Sequence, residues 1–237
     1  MIVSIMQPAY LPWLGYFDRL WRSDLHVVLD SVPLGFQTKT AFTTRNRVRT
    51  ASGATWLTVP IEARQHQTII GDVRVATTLP WARKHAETLR HAYGRSKSWP
   101  MLAPLLAELY DRDWLLLTDL LSTSTPWLCG ALGVNTPMVN ASALDVRGTK
   151  GDLILAICAA VGASSYLSGP FGRDYLDAER FADAGISIAY HDFVHPVYSQ
   201  GNAPFIPYLS IVDLLSHHGP DSLRILTGGA DTNAPGA

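Results

Sequence analysis

The sequence predicts an α/β fold on a mostly parallel sheet, opening strand, loop, helix, strand and carrying a helical insertion near its centre. Ile2 to Met6 and Leu25 to Leu29 are apolar runs of strand length. A helix-sized stretch, Leu14 to Arg22, lies between them, and a right-handed crossover through such a helix leaves its flanking strands parallel. From Pro137 onward, strand-length and helix-length apolar stretches alternate again.

In order along the chain, Gln7 and Pro8 end the first strand, and Met6 to Trp13 together with Asp30 are expected to face one crevice at the carboxyl ends of the strands. Residues 33–50 are polar and lack an apolar period, which reads as a long loop entering an irregular hairpin. Trp56 to Pro60 and Asp72 to Ala76 read as strands. Pro80 suits the first turn of a helix running from Trp81 to Tyr93; Met101 to Tyr110 and Trp114 to Leu132 continue the helical block, which Gly133 stops. Then follow a strand at Pro137 to Asn140, a helix at Asp152 to Val161, a strand at Ser165 to Leu167, a helix at Tyr175 to Ala184, a strand at Ile186 to Tyr190 and a helical stretch from Asp213 to Leu226. No linker divides the chain, so one domain over residues 1–227 is expected, with the helical block at about 80–133 and a frayed Gly/Ala/Asn/Pro-rich tail at 228–237.

The composition narrows the function. Of 237 residues 47% are hydrophobic and 16% charged, enough for a sizeable core, and nineteen Lys+Arg against twenty Asp+Glu give no broad basic surface for nucleic acid or anionic membrane. Cys129 and Cys158 stand alone in apolar helical contexts, which argues against a disulfide framework, a metal knuckle or a catalytic thiol. The opening lacks a signal-peptide pattern and the longest apolar run, near Trp114 to Leu121, is short of the roughly 20 residues a bilayer requires, so a soluble cytoplasmic protein is expected. Walker, Gly-x-Gly-x-x-Gly and Gly-x-Ser-x-Gly patterns are absent, and no metal or other cofactor is expected.

Chemistry-bearing residues concentrate in three places. The first is the aromatic, proline-punctuated stretch from Gln7 to Phe17, where Gln7, Tyr10, Trp13 and Tyr16 suit a ligand wall; the alternative is a loop plugging the core. Asp30 closes the second strand, where carboxylates of α/β sites often stand. The second is Arg45, Arg47 and Arg49, which in an extended segment share one face opposite Asn46 and can cradle a phosphate or carboxylate, or else guard a solvated edge. Trp81, Lys84 and His85, at i, i+3 and i+4, add an aromatic, a cation and an imidazole that can serve as acid or base. The third runs from Tyr190 through His191, His195, Tyr198 and Gln200 to Asp213; Pro196 makes a helical zinc pair of His191 and His195 a poor fit.

These residues, in this order, resemble the WbqC-like proteins. The resemblance is carried by Gln7-Pro8-x-Tyr10-x-Pro12-Trp13-x-Gly15-Tyr16-Phe17, Asp24, Asp30, Arg45-Asn46-Arg47, Trp56-Leu57-Thr58-Val59-Pro60, Trp81-x-x-Lys84-His85 and Tyr93. It resumes at Tyr166-Leu167-Ser168-Gly169, Tyr175-Leu176-Asp177, Gly185-Ile186, His195-Pro196-x-Tyr198-x-Gln200, Phe205 and Leu209 to Leu215. Ser31-Val32-Pro33-Leu34 departs from the Val-Gln pair that many relatives carry after the aspartate. The resemblance implies a soluble protein of surface-polysaccharide (O-antigen) or specialised-metabolite biosynthesis without defining a reaction. A weaker likeness, strand then Pro-x-x-Gly-Tyr then helix, is to nucleotidyltransferases and pantothenate synthetases, with Tyr16 where their turn has histidine.

The reading that follows is a metal-independent enzyme in which an amine attacks an activated acyl group. The expected partner is a small anionic molecule, free or linked to a carrier protein or nucleotide, and a homodimer is left open. Arg45, Arg47 and Lys84 would hold the anion, His85 or His195 would act as base, and Asp30 or Asp213 would orient it. Asn46 or Tyr16 would donate to the oxyanion, while Gln7, Tyr10, Trp13, Trp81, Tyr198 and Gln200 would bind substrate. The alternatives are a nucleotidyltransferase-like enzyme and a non-catalytic subunit that grips an anionic metabolite. All three require Arg47, His85 and His195 to meet around one cavity.

Overall fold

The computed structural model describes residues 1–35, 42–63, 67–201 and 204–229. Its centre is a five-stranded sheet in the order β5-β2-β1-β6-β7, formed by Ile2–Met6 (β1), Leu25–Val28 (β2), Met138–Asn140 (β5), Ser165–Ser168 (β6) and Ser187–Tyr190 (β7), every pair parallel. Period-2 alternation sorts β1 between two layers. Val3 and Ile5 join a core completed by Ile154, Ile157 and Phe181 of the helices Lys150–Ala160 (α5) and Ala178–Asp183 (α6). Met6 joins the larger core with Leu14, Phe17 and Leu20 of the helix Leu14–Trp21 (α1). Helices thus cover both faces, as an all-parallel sheet requires.

Between β2 and β5 come a hairpin and the helical block. Arg45–Thr50 (β3) pairs residue for residue with Gly53–Thr58 (β4), so this hairpin is regular where an irregular one was expected: Gly53, at φ +125°, closes the turn with a backbone that a side chain would disfavour. The expected strand over 72–76 is instead a 3₁₀ turn, Ile70–Asp72, with isolated pairings of Val75 to Ile61 and Arg74 to Leu116. The block consists of Trp81–Tyr93 (α2), Trp99–Tyr110 (α3) and Leu117–Leu132 (α4), ended by left-handed Gly133. The second of these packs on both its neighbours and on Ile211–His218 (α7).

Two expected helices are shorter than predicted. The stretch from Tyr175 helicates only from Ala178, because the Asp177 carboxylate caps the Glu179 and Arg180 N–H groups. The stretch from Asp213 is split by a 3₁₀ turn at Gly219–Asp221, with Gly219 at φ +51°, into α7 and Ser222–Leu226 (α8). The expected frayed tail lies outside the described residues from 230 onward. Among the described residues no helix is long and apolar enough to cross a membrane.

Candidate active site

After β1 the chain winds one way, through α1 to β2 and on to β5; after α5 it returns to the other side of β1 as β6 and β7. The connections therefore diverge at the carboxyl ends of β1 and β6, where open α/β sheets place their ligands. Gln7-Pro8 leaves β1 there and Gly169-Pro170 leaves β6, and between them opens a cavity of about 460 Å³. Its wall is pinned: the Tyr10 N–H donates to the Phe42 carbonyl, the Ile211 N–H donates to the Pro12 carbonyl, and the buried Asn46 amide donates to the carbonyl of Leu11, whose φ is +41°. Trp13 and Phe42 pack at 4.8 Å between ring centres, tilted by 40°, on one side. Phe193 lies against Gly15 on another, so close that a Cβ at Gly15 would meet its ring at 2.8 Å.

The ionisable groups in and behind this cavity come from α1, its C-terminal cap and the end of β7. His191, held by its N–H on the Ser168 carbonyl, places Nε2 2.6 Å from Oδ2 of Asp18. Arg22, one turn along α1, donates Nε to the same oxygen at 2.8 Å and Nη2 to Oδ1 at 3.3 Å. Burial pushes the Asp18 carboxyl up, but the hydrogen bonds from His191 and Arg22 outweigh it and hold the group below its ordinary 3.8. An ionised Asp18 fixes the proton of His191 on Nε2, leaving Nδ1 as the acceptor. His191 and Phe193 also line a larger hollow of about 1030 Å³, with Asp18, Trp21 and Leu167, so the imidazole stands on the wall between two chambers.

Arg19 lines the smaller cavity as well. Its Nη2 donates to the Ile5 carbonyl at 3.2 Å, its Nε is buried without a partner, and no ion pair among the described residues includes it. Burial pulls its pKa down, opposed only by the hydroxyls of Tyr166, Tyr16 and Tyr175.

The residues expected from the sequence fall into separate neighbourhoods. Gln7, exposed, and Trp13 do line the switch-point cavity. Arg47, His85 and His195 line neither hollow, so the expected common cavity is not formed. His85 is buried with Trp81, accepting or donating at Nδ1 to the Tyr10 hydroxyl (2.9 Å), which in turn meets Tyr110 at 2.5 Å. Burial pushes its imidazole down to about 4, against a backbone hydrogen bond to Thr58, so it stands at neutral pH as an uncharged bridge in the core. Lys84 is exposed and lines a separate hollow with Glu87 and His91.

His195 spends both nitrogens on backbone, Nδ1 on the Pro196 carbonyl at 2.8 Å and Nε2 on the Tyr208 N–H at 3.1 Å; burial lowers its pKa. Arg47 donates to the Pro207 carbonyl at 3.2 Å and, with Arg45, stacks over Trp56. Gln200 is tied to both the N–H and the carbonyl of Ile206. Tyr198 donates to Asp213 at 3.0 Å, and burial raises the carboxyl of Asp213. Arg47 thus ties the hairpin to the stretch after His195, and the other contacts fold that stretch on itself and on the start of α7.

Tyr16 is sealed in the core on His26 (3.3 Å), which contacts Ser4 at 2.9 Å. Asp30, rather than facing the crevice, accepts from the N–H and hydroxyl of Ser142 at 2.9 and 2.6 Å. Burial pushes Cys129 and Cys158 up to about 12, so both thiols stay protonated at neutral pH. Sequence reasoning did not single out Asp18 or Arg19, and it named His191 within the third concentration without giving it a role. The signal for His191 was present: the rule that singled out Asp30 at a strand's carboxyl end applies equally to His191 after Tyr190.

No solved structure matches the chain. A protein of Mycobacterium tuberculosis (strain ATCC 25618 / H37Rv) named "Uncharacterized protein Rv1507c" is 31% identical over 229 residues, 94% of this chain and 97% of that protein. The family model described as WbqC-like protein family matches residues 7–225, a span holding both walls of the switch-point cavity together with Asp18, Arg19 and His191. With that match and that relative running through fold and site alike, the chain belongs to the WbqC-like protein family.

Proposed function

We propose that this WbqC-like protein is a cytoplasmic biosynthetic enzyme that transfers an acyl group from an activated donor, such as a carrier thioester, to an amine, in the surface-polysaccharide or specialised-metabolite setting its resemblance implies. The observation that carries the proposal is the Asp18–His191 contact of 2.6 Å at the switch-point cavity. His191 Nδ1 removes the proton of the attacking amine while Asp18 steadies the imidazolium through Nε2. The C–N bond forms, the tetrahedral intermediate expels the thiolate, and the thiolate takes the proton from His191. The balance is amine plus thioester to amide plus thiol. Two chambers meeting at His191 suit two reactants, the donor in the smaller and the amine reaching the imidazole from the larger. Gln7, at the mouth, offers an amide donor to the developing oxyanion.

The test is to incubate purified protein with a metabolite extract of cells lacking it and to follow new species by mass. The proposal expects a product whose mass is that of an amine plus an acyl donor less the released thiol. The His191→Asn variant should form it about 10²–10⁴-fold more slowly, the usual worth of a positioned base. A product heavier by a nucleotidyl group would favour nucleotidyl transfer at the same switch point instead. A binding subunit would form no product, because a base oriented by a carboxylate has no use in it.

A further inference from the structure

We infer that Arg19 is an anion subsite, taking the carboxylate or phosphate of a small ligand whose flat or ring-shaped part lies between the aromatic walls of the switch-point cavity; this rests on the reading of that cavity as the active site. Three observations carry it. A guanidinium withdrawn in part from water normally has a carboxylate beside it, because an unpaired charge kept from solvent is costly. Arg19 has none among the described residues: one nitrogen reaches the Ile5 carbonyl, Nε has no partner, and the hydroxyls around it are those of Tyr16, Tyr166 and Tyr175, all raised by burial and neutral at pH 7. The neighbouring carboxylate, Asp18, is already occupied by Arg22 and His191.

Secondly, the fold makes room for the guanidinium at the cavity wall. A Cβ on Gly169 would lie 2.6 Å from Nη1, so glycine at the carboxyl end of β6 lets the cation rest against backbone beside the opening. Thirdly, the walls suit a ring. Trp13 and Phe42 form one side, and Phe171 and Tyr208 stand at the mouth 65% and 60% exposed, more apolar surface than a closed wall would leave in water. The cavity of about 460 Å³ falls within the range of small-molecule sites. Of the arginines expected to hold the anion, Arg47 is engaged by a loop carbonyl and Arg45 lies over the Trp56 ring instead.

The probes are phenyl phosphate and benzoate, with benzyl alcohol as the uncharged control, titrated calorimetrically and by thermal shift. One anion per chain is expected to bind at least tenfold more tightly than benzyl alcohol, and the stronger of the two tells phosphate from carboxylate. Arg19→Gln should bring the anion down to the affinity of the alcohol, while the ligand-free melting temperature stays level or rises, because an uncompensated cation has been removed. Gly169→Ala carries the test if Arg19→Gln does not fold: its methyl displaces the guanidinium with the charge kept, and anion affinity should again fall. Equal binding of benzoate, phenyl phosphate and benzyl alcohol, or undiminished anion affinity in either variant, overturns the subsite. His191→Asn should retain anion binding, so an unaffected turnover in that variant would count against the acyl-transfer reading and leave the subsite standing.

Discussion

Asp18, set between the Arg22 guanidinium and the His191 imidazole, is held below the ordinary range of a carboxyl although burial pushes it up, so it carries its charge at neutral pH. That charge dictates which nitrogen of His191 holds the proton. Asp18→Asn keeps the shape but can present its amide N–H to Nε2, which shifts the proton to Nδ1, the wrong side for a base. Turnover should fall by about 10²–10⁴-fold, measured as the initial rate of product formation by folded protein, while a change under threefold would remove Asp18 from the mechanism. Residue by residue, some of the groups expected from the sequence line the switch-point cavity and others stand elsewhere. Gln7 and Trp13 were legible because irregular backbone at a strand's end must face the crevice. His85 and His195 were not, because a histidine with both nitrogens satisfied and one with a free nitrogen look alike in a sequence. Arg19 was illegible for a related reason: the lack of a partner is a property of three dimensions.

The loop from Gln7 to Trp13 holds its shape through a few hydrogen bonds made by distant elements. Asn46, on the inward face of β3, donates to the Leu11 carbonyl at 2.7 Å and accepts from the Arg47 N–H at 2.8 Å. Asn46→Ala leaves that buried carbonyl unpaired, so a loss of about 1–3 kcal/mol is expected in urea unfolding, with the switch-point wall loosened as well. A loss below the scatter of the measurement would show that the loop is held otherwise. The alternation of Arg45, Arg47 and Arg49 was legible and so was the face they share. Their employment was not, since loop carbonyls of residues 204 and 207 offer the same acceptors that a phosphate would. The strand expected over 72–76 failed on similar grounds: Val73 and Val75 are buried in alternation as a strand's would be, but the segment pairs with single residues and builds no ladder.

Across the whole molecule, strand order decides where chemistry can happen. The first strand lies in the middle of the sheet, so the crossover direction must reverse beside it, and that reversal puts the Gln7 and Gly169 ends together. Parallel pairing of β1 and β2 was legible from the first thirty residues, whereas the position of β6 beside β1 depends on contacts 163 residues apart. The same packing makes stability depend on acidity. Burial pushes His26 to about 3 and His85 to about 4 from 6.5, so both fold neutral. Their contribution is fully present above pH 6.5 and is lost as pH falls toward 4, because the unfolded chain takes up protons first; His85 alone accounts for on the order of 3 kcal/mol. The urea midpoint should drop between about pH 7 and pH 4.5, and drop less in His85→Gln; equal drops would mean that His85 is not the neutral bridge described. The central claim is that His191, and neither of the other two histidines, is the base at the reversal of the sheet. Its most direct test is to compare product formation from the same metabolite extract by His191→Asn, His85→Gln and His195→Gln, each shown to be folded. The account predicts a rate about 10²–10⁴-fold lower in the first and within a few-fold of the parent in the others; full turnover in His191→Asn would contradict it.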